Sequence, residues 1–212
     1  MRTCYIACAL DCKIDINVLE DDLVIGADKG CEILIKNGYV PNVAIGDFDS
    51  IDGEVNCSNI IRHPVKKDDT DSVLAVEYAI KQGYDDIVIF GAIGGTLDHT
   101  IANISMLKRY TEKGKNIVLI DGDNVLFAVC NNEIVFDKKA EGRVSVFSAT
   151  ENSYGVSISG LLYELDKRDL SSSISLGVSN EFVGKQSSIS VENGVLFLYT
   201  SKENYDKHLT KQ

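Results

Sequence analysis

Up to about residue 125, short apolar runs alternate with amphipathic stretches, the pattern of a mainly parallel sheet covered by helices. Strands are expected from Thr3 to Ala9, Leu23 to Ala27, Val43 to Ile45, Ile60 to Arg62, Ile87 to Phe90 and Ile117 to Ile120. Helices fill the longer gaps. Between Thr70 and Gln82 the apolar Val73, Val76 and Ile80 share one face, and between Thr96 and Tyr110 so do Leu97, Ile101, Ile104 and Leu107. Gly83 and Gly114 mark the ends of these two helices. After Asp123 the spacing changes to period two, with strands expected at Val144–Ser148, Gly155–Ser159, Ser187–Val191 and Gly194–Tyr199. Glu192-Asn193-Gly194 reads as a tight hairpin turn, because Asn-Gly readily takes the positive φ values that type I′ requires. The expected architecture is an α/β domain with a mainly parallel, Rossmann-like sheet over residues 1–124, followed by an all-β antiparallel sandwich or jelly roll over 125–212. No Pro-rich or Ser/Gly-rich linker separates the halves, so they are expected to pack closely.

Composition narrows the possibilities. With 212 residues and 44% hydrophobic content the chain can bury a proper core. No run approaches the roughly eighteen consecutive apolar residues of a membrane span. Arg2 followed by the apolar Tyr5 to Leu10, with Ala7-Cys8-Ala9, superficially matches a secretion signal, but the stretch is too short and reads as a buried first strand. Cys4, Cys8, Cys12, Cys31, Cys57 and Cys130 form no C-x-x-C pair and have no histidines grouped beside them, so a structural metal is not expected. Reduced thiols, with Cys4 and Cys8 as small hydrophobes on one strand face, fit a cytoplasmic protein. The excess of 32 Asp and Glu over 21 Lys and Arg repels nucleic acid phosphates. If the substrate is itself a polyphosphate, divalent cations must bridge it to the carboxylates.

Three segments could carry such chemistry. Gly46-Asp47-Phe48-Asp49-Ser50 follows the strand ending at Ile45, at the edge where open α/β sheets bind ligands. Two carboxylates at i and i+2 suit Mg²⁺, although spacing alone fits a solvated acidic turn equally well. Lys66-Lys67-Asp68-Asp69-Thr70-Asp71 directly precedes a helix. Asp69 or Thr70 can serve as the N-cap, yet three aspartates beside paired lysines exceed what capping needs, and a helix N-terminus flanked by lysines suits phosphate. Gly91-Ala-Ile-Gly94-Gly95-Thr96-Leu97-Asp98-His99 runs from a strand into a helix, where glycines let backbone amides approach an anion. It matches neither the Walker A nor the dinucleotide fingerprint, and a lone His99 is more often a capping or core group than a catalyst. All three loops follow strands of one α/β domain, so they can converge on a single rim.

G-D-F-D-S, then D-x-T-D at a helix start, then G-x-x-G-G-x-x-D-H with Asn103 following, in that order before a β-rich half, resembles the thiamine pyrophosphokinase family. Gly155-Val-Ser157 through Tyr163 and Ser179-Asn180-Glu-Phe182 resemble that family's thiamine-binding segments. The resemblance implies transfer of a pyrophosphoryl group from ATP to the thiamine hydroxyl, giving thiamine diphosphate and AMP. It also implies a homodimer with sites at the subunit interface, and neither nucleic acid nor membrane as partner. By motif match, Asp47, Asp49 and Asp71 would hold Mg²⁺, Thr70 would touch the phosphates, and Asp98 would orient the hydroxyl or the transferring group. Asp28, Lys67, Asp68, Gly94, Gly95 and His99 would bind ATP, and Ser157, Tyr163, Ser179 and Asn180 thiamine. Two positions depart from the family. Thr96 stands where an arginine is usual, with Lys66, Lys67 or Arg109 as candidate replacements, and Tyr163 stands for a tryptophan. A diphosphokinase for another small alcohol and a non-catalytic nucleotide or thiamine sensor are the other readings of the same residues.

Overall fold

The protein is described by a computed structural model over residues 2–48, 57–63 and 69–211. Its chain divides into two compact units, residues 1–107 with 115–122, and residues 108–114 with 123–212.

In the first unit β1 (Thr3–Ala7), β2 (Leu23–Ala27), β3 (Val43–Gly46) and β4 (Ile60–Arg62) lie side by side in chain order. The chain then returns to the other side of β1 to place β5 (Asp86–Phe90) and β6 (Asn116–Asp121), giving the order β6-β5-β1-β2-β3-β4. Every pairing among these six strands is parallel. Their buried residues form near-continuous apolar runs, such as Ile87, Ile89 and Phe90 in β5 and Ile117 to Leu119 in β6, as a sheet covered on both faces requires. α1 (Gly30–Lys36) packs on β1 and β2, and α2 (Asp71–Lys81) on β1, β2 and β3; α3 (Leu97–Thr111) follows β5. Because successive strands are laid down on both sides of β1, the loops after β1 and β5 part in opposite directions. Such a switch point leaves a crevice at the carboxyl ends of the strands.

Two features of this unit differ from expectation. β1 stops at Ala7, so Cys8 lies beyond the strand rather than on its face, its N–H donating to Phe90 O at 2.8 Å. In α3 the buried face is Asn103, Met106, Leu107 and Tyr110, whereas Leu97 and Ile101 are 73% and 55% exposed. A polar residue, Asn103, turns inward and sets the rotation of the helix, which apolar periodicity alone cannot reveal.

The second unit is antiparallel throughout its described pairings. β7 (Asn124–Cys130), β9 (Arg143–Ser148), β12 (Asn180–Glu181) and β14 (Val195–Ser201) pair in the order β12-β9-β14-β7. β8 (Glu133–Phe136), β10 (Asn152–Ser159), β11 (Leu165–Ser171), β13 (Ser187–Ser190) and β15 (Leu209–Lys211) form a second sheet, β11-β10-β13-β8-β15. Alternation places Val144, Val146, Val156, Ile158, Leu196 and Leu198 inside. Phe136 meets Phe182 edge-on with ring centroids 5.0 Å apart. Glu192-Asn193-Gly194 is not a hairpin: β13 and β14 belong to different sheets, and the segment carries the chain from one to the other. Of the Asn-Gly pair only Gly194 takes positive φ (129°), while Asn193 bridges to Tyr154 and Asn131 Oδ1 accepts from Gly194 N at 2.8 Å.

Gly30, the first residue of α1, presses against the end of β1. A Cβ there would lie 1.8 Å from Ala7 O and 2.5 Å from Ala7 C. Alanine is the better helix former by about 1 kcal/mol, but a backbone clash this close outweighs that gain. Gly30→Ala is expected to lower stability by about 3 kcal/mol in a urea titration; an unchanged or raised midpoint would contradict the contact.

Candidate active site

A cavity of about 340 Å³ opens in the first unit where the sheet switches direction. It is lined by Cys8, Ala9 and Leu10 after β1, Ala27 and Asp28 after β2, Thr70, Asp71 and Ser72 at the start of α2, the Gly91–Thr96 loop after β5, and His99 and Asn103 of α3. Of the residues singled out from the sequence, the cavity brings together Asp28, Thr70, Asp71, Gly94, Gly95 and His99. Asp49, Lys66, Lys67 and Asp68 lie outside the described residues.

Asp28 occupies left-handed backbone space (φ 48°), which costs a non-glycine residue about 1 kcal/mol. The conformation is fixed from both sides, since Asp28 N donates to Ile45 O at 2.9 Å and Asp28 O accepts from Cys31 N at 3.1 Å. One consequence is chemical. Asp28 Oδ1 is buried and has no hydrogen-bond partner among the described residues, an arrangement that ordinarily costs about 1–3 kcal/mol unless a ligand or ion satisfies the oxygen. Asp47, half-buried, follows the end of β3 beside Asp28. Its position is set by Phe48, also left-handed (φ 59°), whose ring packs with Cys31 and Ala44 and lies under the Arg62 guanidinium at 5.1 Å. Asp47 is not part of the cavity wall. Among the described residues no three His, Cys, Asp or Glu side chains cluster closely enough to form a metal site by themselves.

The glycine loop serves packing as well as access. A Cβ on Gly91 (φ 66°) would meet Leu10 O at 2.6 Å and Cys8 O at 3.1 Å, so the loops after β1 and β5 can touch only because this residue has no side chain. Gly94 faces the Leu10 side chain in the same way, at 3.0 Å. Asp98 and Thr96 are exposed at the start of α3, and a hydrogen bond from Thr96 together with His99 N (2.9 Å) holds the Asp98 carboxyl below the usual carboxylate range. Asp98 is therefore an ionised acceptor at neutral pH, outside the cavity wall. Arg109 lies ten residues beyond His99 on α3, about 15 Å along the helix, with its guanidinium over the Tyr110 ring. Burial pushes the Cys8 thiol up to about 12, so it lines the cavity as a neutral group rather than a nucleophile.

Sequence reasoning missed Cys8, Leu10 and Ser72 as wall residues and gave Asn103 no role. Leu10 and Cys8 could have been found from their place just past a strand next to the switch point. Ser72 and Asn103 are 31 residues apart, and no linear spacing shows that Ser72 Oγ donates to Asn103 Oδ1 at 2.6 Å.

In the second unit, residues 161–163 run antiparallel to 180–182, with a Leu161–Phe182 bridge and Leu162 N donating to Glu181 O at 2.9 Å. Asn180, 2% exposed, fastens the two segments. Its Oδ1 accepts from Tyr163 N (3.0 Å) and Glu181 N (2.9 Å), and its Nδ2 donates to Tyr163 O at 2.7 Å. The Tyr163 side chain is thereby held out at 64% exposure, and Ser179 (φ 58°) donates its N–H to Ser145 Oγ at 3.0 Å. Ser157 stands apart on β10, its Oγ accepting from Lys167 N at 3.2 Å.

A parallel α/β unit with its cavity at the switch point, followed by an antiparallel β unit, defines a two-part enzyme of the transferase class once its relatives are considered. Residues 17–119 match the family described as "Thiamin pyrophosphokinase, catalytic domain", and residues 131–196 match "Thiamin pyrophosphokinase, vitamin B1 binding domain". Thiamine pyrophosphokinase of Bacillus subtilis (strain 168) is 30% identical over 191 residues, covering 87% of this chain and 89% of the relative. A crystal structure of the Bacillus subtilis protein superposes with a TM-score of 0.82 over 94% of this chain and 98% of that one, at 27% identity. The Enterococcus faecalis family protein gives 0.81 at 25% identity over 95% and 99%. The chain belongs to the thiamine pyrophosphokinase family.

Replacing Asn180 removes three hydrogen bonds from a buried site. Asn180→Ala is expected to lower stability by about 2–3 kcal/mol, measured by thermal or urea unfolding; a loss under about 0.5 kcal/mol would show that the two segments hold together without it.

Proposed function

We propose that the cavity binds the polyphosphate of ATP with Mg²⁺, and that the protein transfers the pyrophosphoryl group to the hydroxyl of thiamine, releasing thiamine diphosphate and AMP. The observation that carries this reading is the meeting of Asp28, Thr70, Asp71 and the glycine loop around one cavity. The buried Asp28 Oδ1, which takes no hydrogen bond from the described residues, fits a divalent cation, because a hard oxygen without a donor is what such an ion requires. In this reading Asp47, Asp49 and Asp71 hold Mg²⁺, with Asp28 adjoining. When bound, the ion neutralises the charge that gathers on the phosphate oxygens.

The chain's own residues supply the rest by positioning. The N-terminus of α2 offers backbone N–H groups and a positive dipole end to phosphate, and Gly94, Gly95 and His99 line the same cavity. The thiamine oxygen forms a bond to the β-phosphorus as the bond to the α,β-bridging oxygen breaks, and AMP leaves with that oxygen. The proton of the attacking hydroxyl passes to solvent or a carboxylate, with the ionised Asp98 as an orienting acceptor. Little else needs a base, so alignment and cation clamping provide most of the acceleration.

Thiamine carries a cationic thiazolium ring, which the exposed Tyr163 can receive on its face, with Ser157, Ser179 and Asn180 on the same unit. A second copy of the chain completes each site in this proposal. The exposed Leu162, Leu176, Val178 and Val183 around the Tyr163 segment support an interface there, since apolar side chains gathered this way mark contact surfaces.

Incubation with ATP, Mg²⁺ and thiamine is expected to yield AMP and thiamine diphosphate in equal amounts, and EDTA to abolish both until Mg²⁺ is restored. Asp71→Asn, with an unchanged melting curve, is expected to lower kcat by about a hundredfold or more. Turnover close to the parent's in that variant would remove Asp71 from the site.

A further inference from the structure

We infer that Thr70 meets its ligand as a hydrogen-bond acceptor, because a buried one-way chain of side chains consumes its only proton. This rests on the reading of the cavity as a nucleotide and divalent-cation site. Asn103, 5% exposed, lies within 2.8 Å of Ala92 O through Nδ2. A carbonyl oxygen can only accept, so the amide must present its NH₂ to Ala92 and its Oδ1 to the other side. There Oδ1 lies 2.6 Å from Ser72 Oγ, which must donate. Ser72 has one proton and spends it on Asn103. The 2.9 Å contact between Ser72 Oγ and Thr70 Oγ1 is therefore a donation from Thr70 to Ser72.

The direction Thr70→Ser72→Asn103→Ala92 has a consequence at the cavity wall, which Thr70 and Ser72 both line. The Thr70 hydroxyl has no proton left for a phosphate oxygen, which also only accepts. Its lone pairs are not used by the helix either: Thr70 holds the N-cap position of α2 with extended backbone (φ −73°, ψ 160°), yet its side chain makes no capping bond. A hydroxyl whose lone pairs take no hydrogen bond from the described residues, next to Asp71, suits the water shell of a divalent cation. Ser72 and Asn103 are then positioning residues that act through Thr70 by holding its rotamer and its polarity, and they tie the start of α2 to α3 and to the loop after β5.

The test separates metal from phosphate. ATP binding is measured by calorimetry in EDTA, and Mn²⁺ binding to the ATP-loaded protein by electron paramagnetic resonance, for the parent, Thr70→Val, Thr70→Ser and Ser72→Ala. Thr70→Val is expected to weaken Mn²⁺ about tenfold while leaving metal-free ATP affinity within about twofold, and Thr70→Ser to restore Mn²⁺ binding. Ser72→Ala frees the Thr70 proton for a phosphate oxygen and is expected to strengthen metal-free ATP binding about threefold. A tenfold loss of metal-free ATP affinity in Thr70→Val, or unchanged Mn²⁺ binding, overturns the inference, as does unchanged or weaker ATP binding in Ser72→Ala. Parent protein that binds neither ATP nor Mn²⁺ would overturn the nucleotide reading itself, and this inference with it.

Discussion

The contact between the loops after β1 and β5 is the constraint from which the rest of the first unit follows. Cys8 N donates to Phe90 O, and Leu10 O sits where a side chain on Gly91 would be. Parallel strands on both sides of β1 aim their following loops apart, and this contact closes the bottom of the gap while leaving its mouth open. Thr70, Asp71 and Asp28 then face a floor of backbone and small side chains. A bulkier chain at either loop would fill the space in which a ligand has to lie.

The second unit holds its functional candidates differently. Its segments around Tyr163 and Asn180 are short and lie at the edge of a sheet, so ladder bonds alone do not fix them. One asparagine replaces several backbone bonds, and a phenylalanine pair, Phe136 with Phe182, anchors the far end. The first unit thus relies on strand geometry to place its polar groups, and the second on a side-chain clasp.

Much of this was legible in the chain. Apolar runs bounded by turn residues place β2 and β4, and amphipathic spacing places α2 and α3, within a residue or two; β2 is buried along most of its length, whereas β4 is a partly exposed edge strand, and α1 was given no bounds. The rotation of α3 was not legible, since Asn103 is inward for hydrogen bonding and Leu97 outward despite its hydrophobicity. β7, β8, β11, β12 and β15 were also missed. β11 is mostly polar and exposed, and an edge strand with little burial carries no alternating signal. The acidic and glycine motifs pointed to the cavity region, but the pairing of Ser72 with Asn103 depends on the tertiary fold, and Asp28's left-handed backbone depends on β3 beside it.

The neutrality of Cys8 has a bearing on how the protein ages. Peroxides attack thiolates far faster than thiols, so a wall residue that stays protonated at any physiological pH is a poor target for oxidation even though it borders a solvent-filled space. Cys12, Cys57 and Cys130 are only partly buried and so stand nearer to oxidants in solvent than Cys8 does. An oxidising burst would therefore meet these three thiols, none of which lines the cavity, before it reached Cys8.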